Sequence, residues 1–287
     1  MSNDKKIFVY ILGVAQDGGY PHADCKKECC NKSWQDKNLM KHPSSIALVN
    51  QKLKKYWLID VTPDIKHQIH LLDKFNCKLS GIFITHAHFG HYAGLLNLGL
   101  EVMNLKKIPV YVMPQMKNFI ITNSITRQLL DNDNIEIFDL SDNSNIALKE
   151  YISIMPFNVP HRNELSETVG FKVQGRNKSI IYLPDIDSWN NWEENLLKLI
   201  EENDLLFIDG TFYSKDEISY RNISKIPHPA IKDTMKRLSA LNVNDRNKIY
   251  FTHLNHTNPA IVEGSTEYKE VLDNGFFILK ELKRFDL

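Results

Sequence analysis

Three histidines stand at positions 86, 88 and 91 in "GIFITHAHFGHYAGLL", the stretch Gly81–Leu96, immediately after an apolar run. Neutral imidazoles are ligands for Zn²⁺, Mn²⁺ or Fe²⁺, and several on one short segment can converge on an ion. Five further apolar runs end in, or lead directly to, an ionisable residue. Asp60 ends "YWLID", His161 follows "FNVP", Asp185 ends "IIYLPD", Asp209 ends "LLFID" and His253 ends "KIYFTH". Any one of these alone would ordinarily be a satisfied turn or capping residue. Six at the same kind of position point instead to a metal centre, because strand ends hold side chains rigidly along one sheet edge and leave them open to solvent.

The elements that must position these groups are short β-branched and aromatic runs: "KIFVYILG", "SSIALVN", "YWLIDV", "GIFITH", "PVYVM", "IEIFDL", "ISIMPFNV", "ETVGFKV", "SIIYLPD", "LLFIDG", "KIYFTH" and "GFFIL". Gly, Pro, Asn or Asp bounds each of them, as is usual for strands. Helical spacing between them is clearest over Ser188–Asn203, where Trp189, Trp192, Leu196, Leu199 and Ile200 share a face. A second helix is predicted from about His91, carrying Leu95, Leu96 and Leu98. With no linker, low-complexity tract or short repeat, the pattern predicts one domain over residues 1–287 with a Cys-rich loop at about 20–32. The fold expected is α/β, with two packed sheets and outer helices.

Composition narrows the partners. The chain has 287 residues, 43% of them hydrophobic, enough for a sizeable core. Its 35 basic and 35 acidic residues cancel, and no run of like charge marks a nucleic-acid or membrane surface. A small-molecule or peptide substrate is expected, with no nucleic-acid partner and no membrane. The apolar stretch in "MSNDKKIFVYILGVAQDGG" reads as a first strand, being too short for a span and lacking a small-residue cleavage site. A cytoplasmic protein is expected. Three of the four cysteines crowd into "DCKKECC", which suggests a metal rather than a disulfide framework.

"THAHFGHYAGL" resembles the HxHxDH signature of the metallo-β-lactamase-fold hydrolases, and the later strand-end residues follow in the same order. Within that superfamily the chain resembles the pyrroloquinoline quinone biosynthesis protein B family through "LGVAQDGGYPH", "IDGTFY", "IPHPAI" and "THLNHTNPA". The resemblance implies an αββα sandwich with the metal site where the two sheets meet. It further implies that His86, His88 and His161 bind a first ion, that Asp185 bridges, and that His91, Asp185 and His253 form a second site. Asp60 is expected to support a ligand imidazole by hydrogen bonding, and Asp209 either to do the same or to be structural.

Gly90 stands where the signature has aspartate. The second site therefore loses an anionic ligand, which leaves a single-metal centre, a weak second site, or a site completed from elsewhere. His22, in "GGYPHADC", and His228, between two prolines in "IPHPAI", are candidates to complete it, to bind a substrate anion or to act as general acid beside Asp185. Arg162, directly after a presumed ligand, is a candidate contact for an anionic substrate. Some phosphodiesterases of this fold pair an early three-cysteine cluster with a histidine three residues beyond the last catalytic one. That likeness implies a structural zinc held by Cys25, Cys29, Cys30 and His256, with His22 or Asp24 in reserve should adjacent Cys29 and Cys30 not both reach the ion, while Cys77 reads as an inert small hydrophobe.

The function expected is metal-dependent hydrolysis of a phosphodiester, ester or amide by an activated water. The alternative is an iron-dependent oxygenase or hydroxylase related to quinone biosynthesis. The cofactors expected are one or two catalytic ions, Zn²⁺ or else Fe or Mn, plus the structural zinc. A homodimer is compatible with an edge-rich sandwich.

Overall fold

Apolar runs with no polar alternation must be buried on both faces, and β1 (Ile7–Gly13) shows this directly, since all seven of its residues are buried. The computed structural model describes residues 6–149, 151–190, 192–218 and 227–287. The next strands are β2 (Ser45–Asn50), β3 (Lys55–Ile59), β4 (Lys78–Phe83), β5 (Ile108–Val112) and β6 (Ile135–Asp139). Beyond them come β7 (Ile146–Lys149), β8 (Ile152–Asn158), β9 (Val169–Gln174) and β10 (Ser179–Leu183). The last four are β11 (Leu205–Asp209), β12 (Ile249–Thr252), β13 (Phe277–Ile278) and β14 (Arg284–Asp286).

These form two seven-stranded sheets, in the orders β14-β1-β2-β3-β4-β5-β6 and β13-β12-β11-β10-β9-β8-β7. Val9, Ile11, Leu48, Ile59 and Phe83 of the first sheet meet Phe171, Tyr182 and Phe207 of the second in the core between the sheets, while Ile181, Leu183 and Phe251 are buried on the second sheet's opposite face. Phe8, Tyr10, Leu12, Val49 and Leu58 point the other way and pack with Met116, Ile120 and Leu129 from the helices Pro114–Thr122 and Ser124–Asp131. The result is the expected αββα sandwich.

Strand direction decides which ends meet. β3 through β6 run parallel, as do β10 through β13. β1 is antiparallel to β2 and β2 to β3, so β1 ends at the same edge as β3. β8 is antiparallel to β9 and β9 to β10, so β8 ends with β10. The carboxyl ends of β1, β3, β4, β8, β10, β11 and β12 therefore face one crevice, the usual place for a ligand in such sheets.

Three local readings differ from expectation. β7 and β14 were not anticipated, because "IALK" and "RFD" are short and polar on one side. The helix read over Ser188–Asn203 is confined to Glu193–Glu202. Trp189 precedes it, its indole N–H donating to Thr234 Oγ1 at 2.9 Å, so tertiary contact rather than helical phase buries that ring. The segment after His88 is one helical turn, Phe89–Tyr92, continued as a 3₁₀ stretch over Ala93–Leu98 that buries Leu95 and Leu98 and leaves Leu96 exposed. Ile226 of "IPHPAI", Asn191 and residues 1–5 of the N-terminal reading lie outside the described residues. Among the described residues no helix is long and apolar enough to cross a membrane.

Candidate metal centre

Two imidazole groups meet at the crevice. In the first, His86 Nε2 lies 2.8 Å from His88 Nδ1, and His161 Nε2 lies 3.3 Å from the same atom. Nitrogens about 2.0–2.1 Å from a common ion are about 2.9–3.4 Å apart, so the spacing fits one cation. In the second, His91 Nε2 and His253 Nε2 stand 3.2 and 3.4 Å from Asp185 Oδ2. The other Asp185 oxygen, Oδ1, is 3.9 Å from His161 Nε2. One carboxylate thus faces both groups, as expected of a bridging residue.

A further carboxylate completes the second group. Asp17 Oδ1 lies 3.2 Å from His91 Nε2 and 3.7 Å from His253 Nε2. It follows β1 in "AQDGG", four residues past the strand end, and sequence reasoning overlooked it. The signal was the coincidence of an acidic residue and two glycines at the end of a strand that shares the crevice edge.

Buried atoms test the fit to a metal. Asp17 Oδ1, His91 Nε2, Asp185 Oδ2 and His253 Nε2 are all buried without a hydrogen-bond partner. Four such orphans converging on one point are what a cation would pair. Burial keeps the His86 and His88 imidazoles below their usual range and His161 at about 4, so these rings are neutral and have lone pairs to offer. Burial alone would raise the Asp17 and Asp185 carboxyls, but the facing histidines hold both well below the ordinary carboxylate range.

Outer partners fix the ligand rings. Asp60 Oδ2 is 2.7 Å from His91 Nδ1, and its Oδ1 accepts the Thr85 N–H at 2.9 Å, the contacts its expected supporting role requires. Thr85 Oγ1 meets His86 Nδ1 at 2.9 Å, Thr211 Oγ1 meets His253 Nδ1 at 3.0 Å, and Asp187 Oδ1 lies 2.8 Å from His161 Nδ1. None of these three was anticipated, since a hydroxyl or carboxylate beside a ligand carries no spacing signal. Asp60 and His253 both adopt left-handed backbone, at φ of 65° and 59°. Such conformations cost on the order of 1–3 kcal/mol each and persist where surrounding contacts over-determine them.

Asp209 is more than structural. Its Oδ2 lies 2.6 Å from His228 Nδ1 while Oδ1 accepts the Thr211 N–H at 2.9 Å. The His228 ring sits 5.4 Å from that of His161 and 6.0 Å from that of His253. Burial pushes His228 down, but the charge and hydrogen bond of Asp209 prevail and raise it above the usual histidine value.

Residues 56–254 match the family described as "Beta-lactamase superfamily domain". The chain belongs to this superfamily. It is 23% identical to a coenzyme PQQ synthesis protein B of Methylorubrum extorquens, over 97% of this chain and 99% of that protein. Its fold is similar to the Zn²⁺-bound PqqB of Methylobacterium extorquens, with a TM-score of 0.83 and 22% identity over 98% and 100% of the two chains. A diphosphatase from the PhnP family is also similar, with a TM-score of 0.69 and 19% identity over 98% and 97%.

In this β-lactamase-superfamily chain a second cluster lies apart from the histidines. Cys25 and Cys29 place their sulfurs 3.8 Å apart, Cys29 and Cys30 4.0 Å, and His256 Nδ1 is 3.7 Å from Cys29 and 3.4 Å from Cys30. Thiolates about 2.3 Å from a tetrahedral ion are separated by about 3.8 Å, so the adjacent cysteines both reach one site and the set fits zinc. Burial pushes the Cys30 thiol up to about 12, and a bound cation is what would hold it as thiolate at neutral pH. His22 lies beside this cluster. Its ring is tilted against that of His256 with centroids 4.6 Å apart, and its backbone N–H donates to Cys30 Sγ at 3.3 Å. Cys77 lies outside both clusters, with its thiol donating to the Phe75 carbonyl.

Proposed function

We propose that this β-lactamase-superfamily chain is a metal-dependent hydrolase of phosphodiesters. The observation that carries this reading is the single Asp185 carboxylate shared between two imidazole groups, beside the buried His228–Asp209 pair. His86, His88, His161 and Asp185 would hold the first ion. A divalent ion there supplies Lewis acidity toward a phosphoryl oxygen and makes water nucleophilic near neutral pH.

The remaining work falls to side chains. His228 would donate its Nδ1–H to Asp209, whose charge raises the ring's proton affinity and suits it to protonate a departing alkoxide. Asp209 fixes that ring and carries the compensating charge. Arg162, half-buried next to His161 and 3.8 Å from Glu164, offers a cation to an anionic substrate. Phe89 and Leu165 are exposed apolar residues close in sequence to His88 and Arg162, where they would contact the substrate's organic part. The similarity in fold to a diphosphatase from the PhnP family supports phosphoryl chemistry.

Hydrolysis of bis(p-nitrophenyl) phosphate by Zn²⁺- or Mn²⁺-loaded protein, run with and without oxygen, tests the proposal. Equal turnover in both, abolished by His161→Ala, is expected. No phosphodiesterase activity, together with substrate-dependent oxygen uptake by Fe²⁺-loaded protein, would replace this reading with the oxygenase one.

A further inference from the structure

The aspartate missing from "HAHFGH" has a physical replacement. A Cβ built on Gly90 would lie 2.3 Å from Asp17 Oδ1 and 2.5 Å from Asp17 Cα, so the Asp17 carboxylate occupies the space a side chain at position 90 would need. Gly90 has no left-handed backbone to account for its being glycine, and it is buried. Steric exclusion by Asp17 is therefore the reason this position carries no side chain.

The loop after β1 is built to hold Asp17 there. A Cβ on Gly13 would sit 1.9 Å from the Pro43 carbonyl oxygen, so only glycine lets the chain leave β1 along that path. Pairing beyond the strand is then tight: Ala15 bridges both Pro43 and Leu254, Gln16 N donates to Leu254 O at 2.9 Å, and Leu254 N donates to Val14 O at 2.8 Å. Gly19 N closes a turn onto Gln16 O at 2.7 Å, with Asp17 in its second position and Gly19 at φ +71°. These bonds tie the turn to the residue after His253. The Asp17 side chain as a whole is 35% exposed, yet its Oδ1 is buried without a partner and points at His91 and His253, themselves 1% exposed.

We propose that Asp17 supplies the carboxylate of a second divalent-ion site with His91, His253 and Asp185, having exchanged places with the motif aspartate across the space above Gly90. The inference rests on the metal reading of the crevice but not on the hydrolytic one. The donor set is one imidazole pair, one carboxylate of its own and one shared, which suits Mn²⁺, Fe²⁺ or Zn²⁺. The exchange also moves a ligand from the helical turn of His91 onto the loop that leads to Tyr20, His22 and the cysteine cluster, so the second ion would clasp β1 to β12.

The test is Mn²⁺ binding by protein stripped at the crevice, read by calorimetry and by electron paramagnetic resonance for spin-coupled pairs. The wild type is expected to bind two equivalents and show coupling. Asp17→Asn, nearly isosteric, should bind one equivalent with the coupling lost, or weaken the second by at least about tenfold. Gly90→Asp alone should lower the melting temperature and leave the second site no stronger, whereas Asp17→Gly with Gly90→Asp should restore both melting temperature and two-ion binding. Two tight ions in Asp17→Asn, or one ion in wild type and variant alike, would overturn the inference while leaving the hydrolase reading standing. No binding at all would overturn both, and a double variant no better than Gly90→Asp would refute the exchange.

Discussion

His228 Nδ1 and Asp209 Oδ2 lie 2.6 Å apart with both side chains essentially buried, which makes them one hydrogen-bonded pair delivered from the end of β11 and from the loop before Ala230. Replacing His228 by Gln removes the proton without emptying the space. The expected outcome is a 10²–10⁴-fold loss of kcat, roughly, on alkyl phosphodiesters whose leaving group needs protonation. On p-nitrophenyl esters, whose leaving group departs unprotonated, the loss should be under about tenfold. Kinetics of both substrate classes check this, and equal losses on the two would assign His228 to binding or structure.

Asp60 sets the tautomer of His91. Its Oδ1 takes the Thr85 N–H and its Oδ2 faces His91 Nδ1, so Asp60→Asn keeps the first bond but turns an amide N–H toward the ring. The ring must then accept at Nδ1 and carry its proton on Nε2, the atom aimed at Asp17 and Asp185. A folded protein whose second-site metal affinity falls by about 10–100-fold is expected. Asp60→Ala should instead destabilise by about 3 kcal/mol, because Thr85 N–H loses a buried acceptor and alanine disfavours the left-handed backbone at this position. Metal titration separates the first case and denaturant unfolding the second.

The cysteine cluster predicts a stability effect with no catalytic one. Cys25→Ser should remove one equivalent of zinc and lower the melting temperature by roughly 5 °C or more, since structural zinc binding is coupled to folding. Zinc analysis and calorimetry measure it. Unchanged stoichiometry and melting temperature would exclude the site.

Glu281 predicts a pH dependence. Burial raises its carboxyl to about 7, against the hydrogen bond it accepts from His42 N–H at 2.5 Å and the charge of Lys41, with Asp64 adding to the rise. The folded state therefore holds this proton more tightly than the unfolded chain, whose glutamates titrate near about 4.3. Stability from this group is full below about pH 4.3 and is lost as pH rises to 7. Glu281→Gln keeps an acceptor for His42 without the charge. It should match the wild type near pH 4 and exceed it by about 1–2 kcal/mol at pH 8, allowing for partial solvent screening. Urea unfolding across that range decides it, and parallel curves would remove Glu281 from the account.

Much of the centre was legible in the sequence because strand ends are local features. The apolar runs ending in Asp60, His86, Asp185, Asp209 and His253 needed no long-range knowledge to be read as strands, and the "HAHFGH" spacing identified His86, His88 and His91 as a group. The cysteine cluster was legible for the same reason, with His256 added by resemblance. What failed was whatever depended on two segments meeting. Trp189 looked helical until Thr234 claimed its N–H.

The sequence by itself determined that histidines and aspartates would stand at strand ends, since side-chain type and strand period are written residue by residue. It also showed that position 90 lacks its carboxylate. Only the tertiary structure decided where that carboxylate went. β1 pairs antiparallel with β2 and so ends at the edge where β12 ends, which brings Asp17 into the space left by Gly90, 73 positions away along the chain. Beyond an acidic residue and two glycines after a strand, such an exchange leaves no local trace, because the side chain and the gap it fills share neither a segment nor a period.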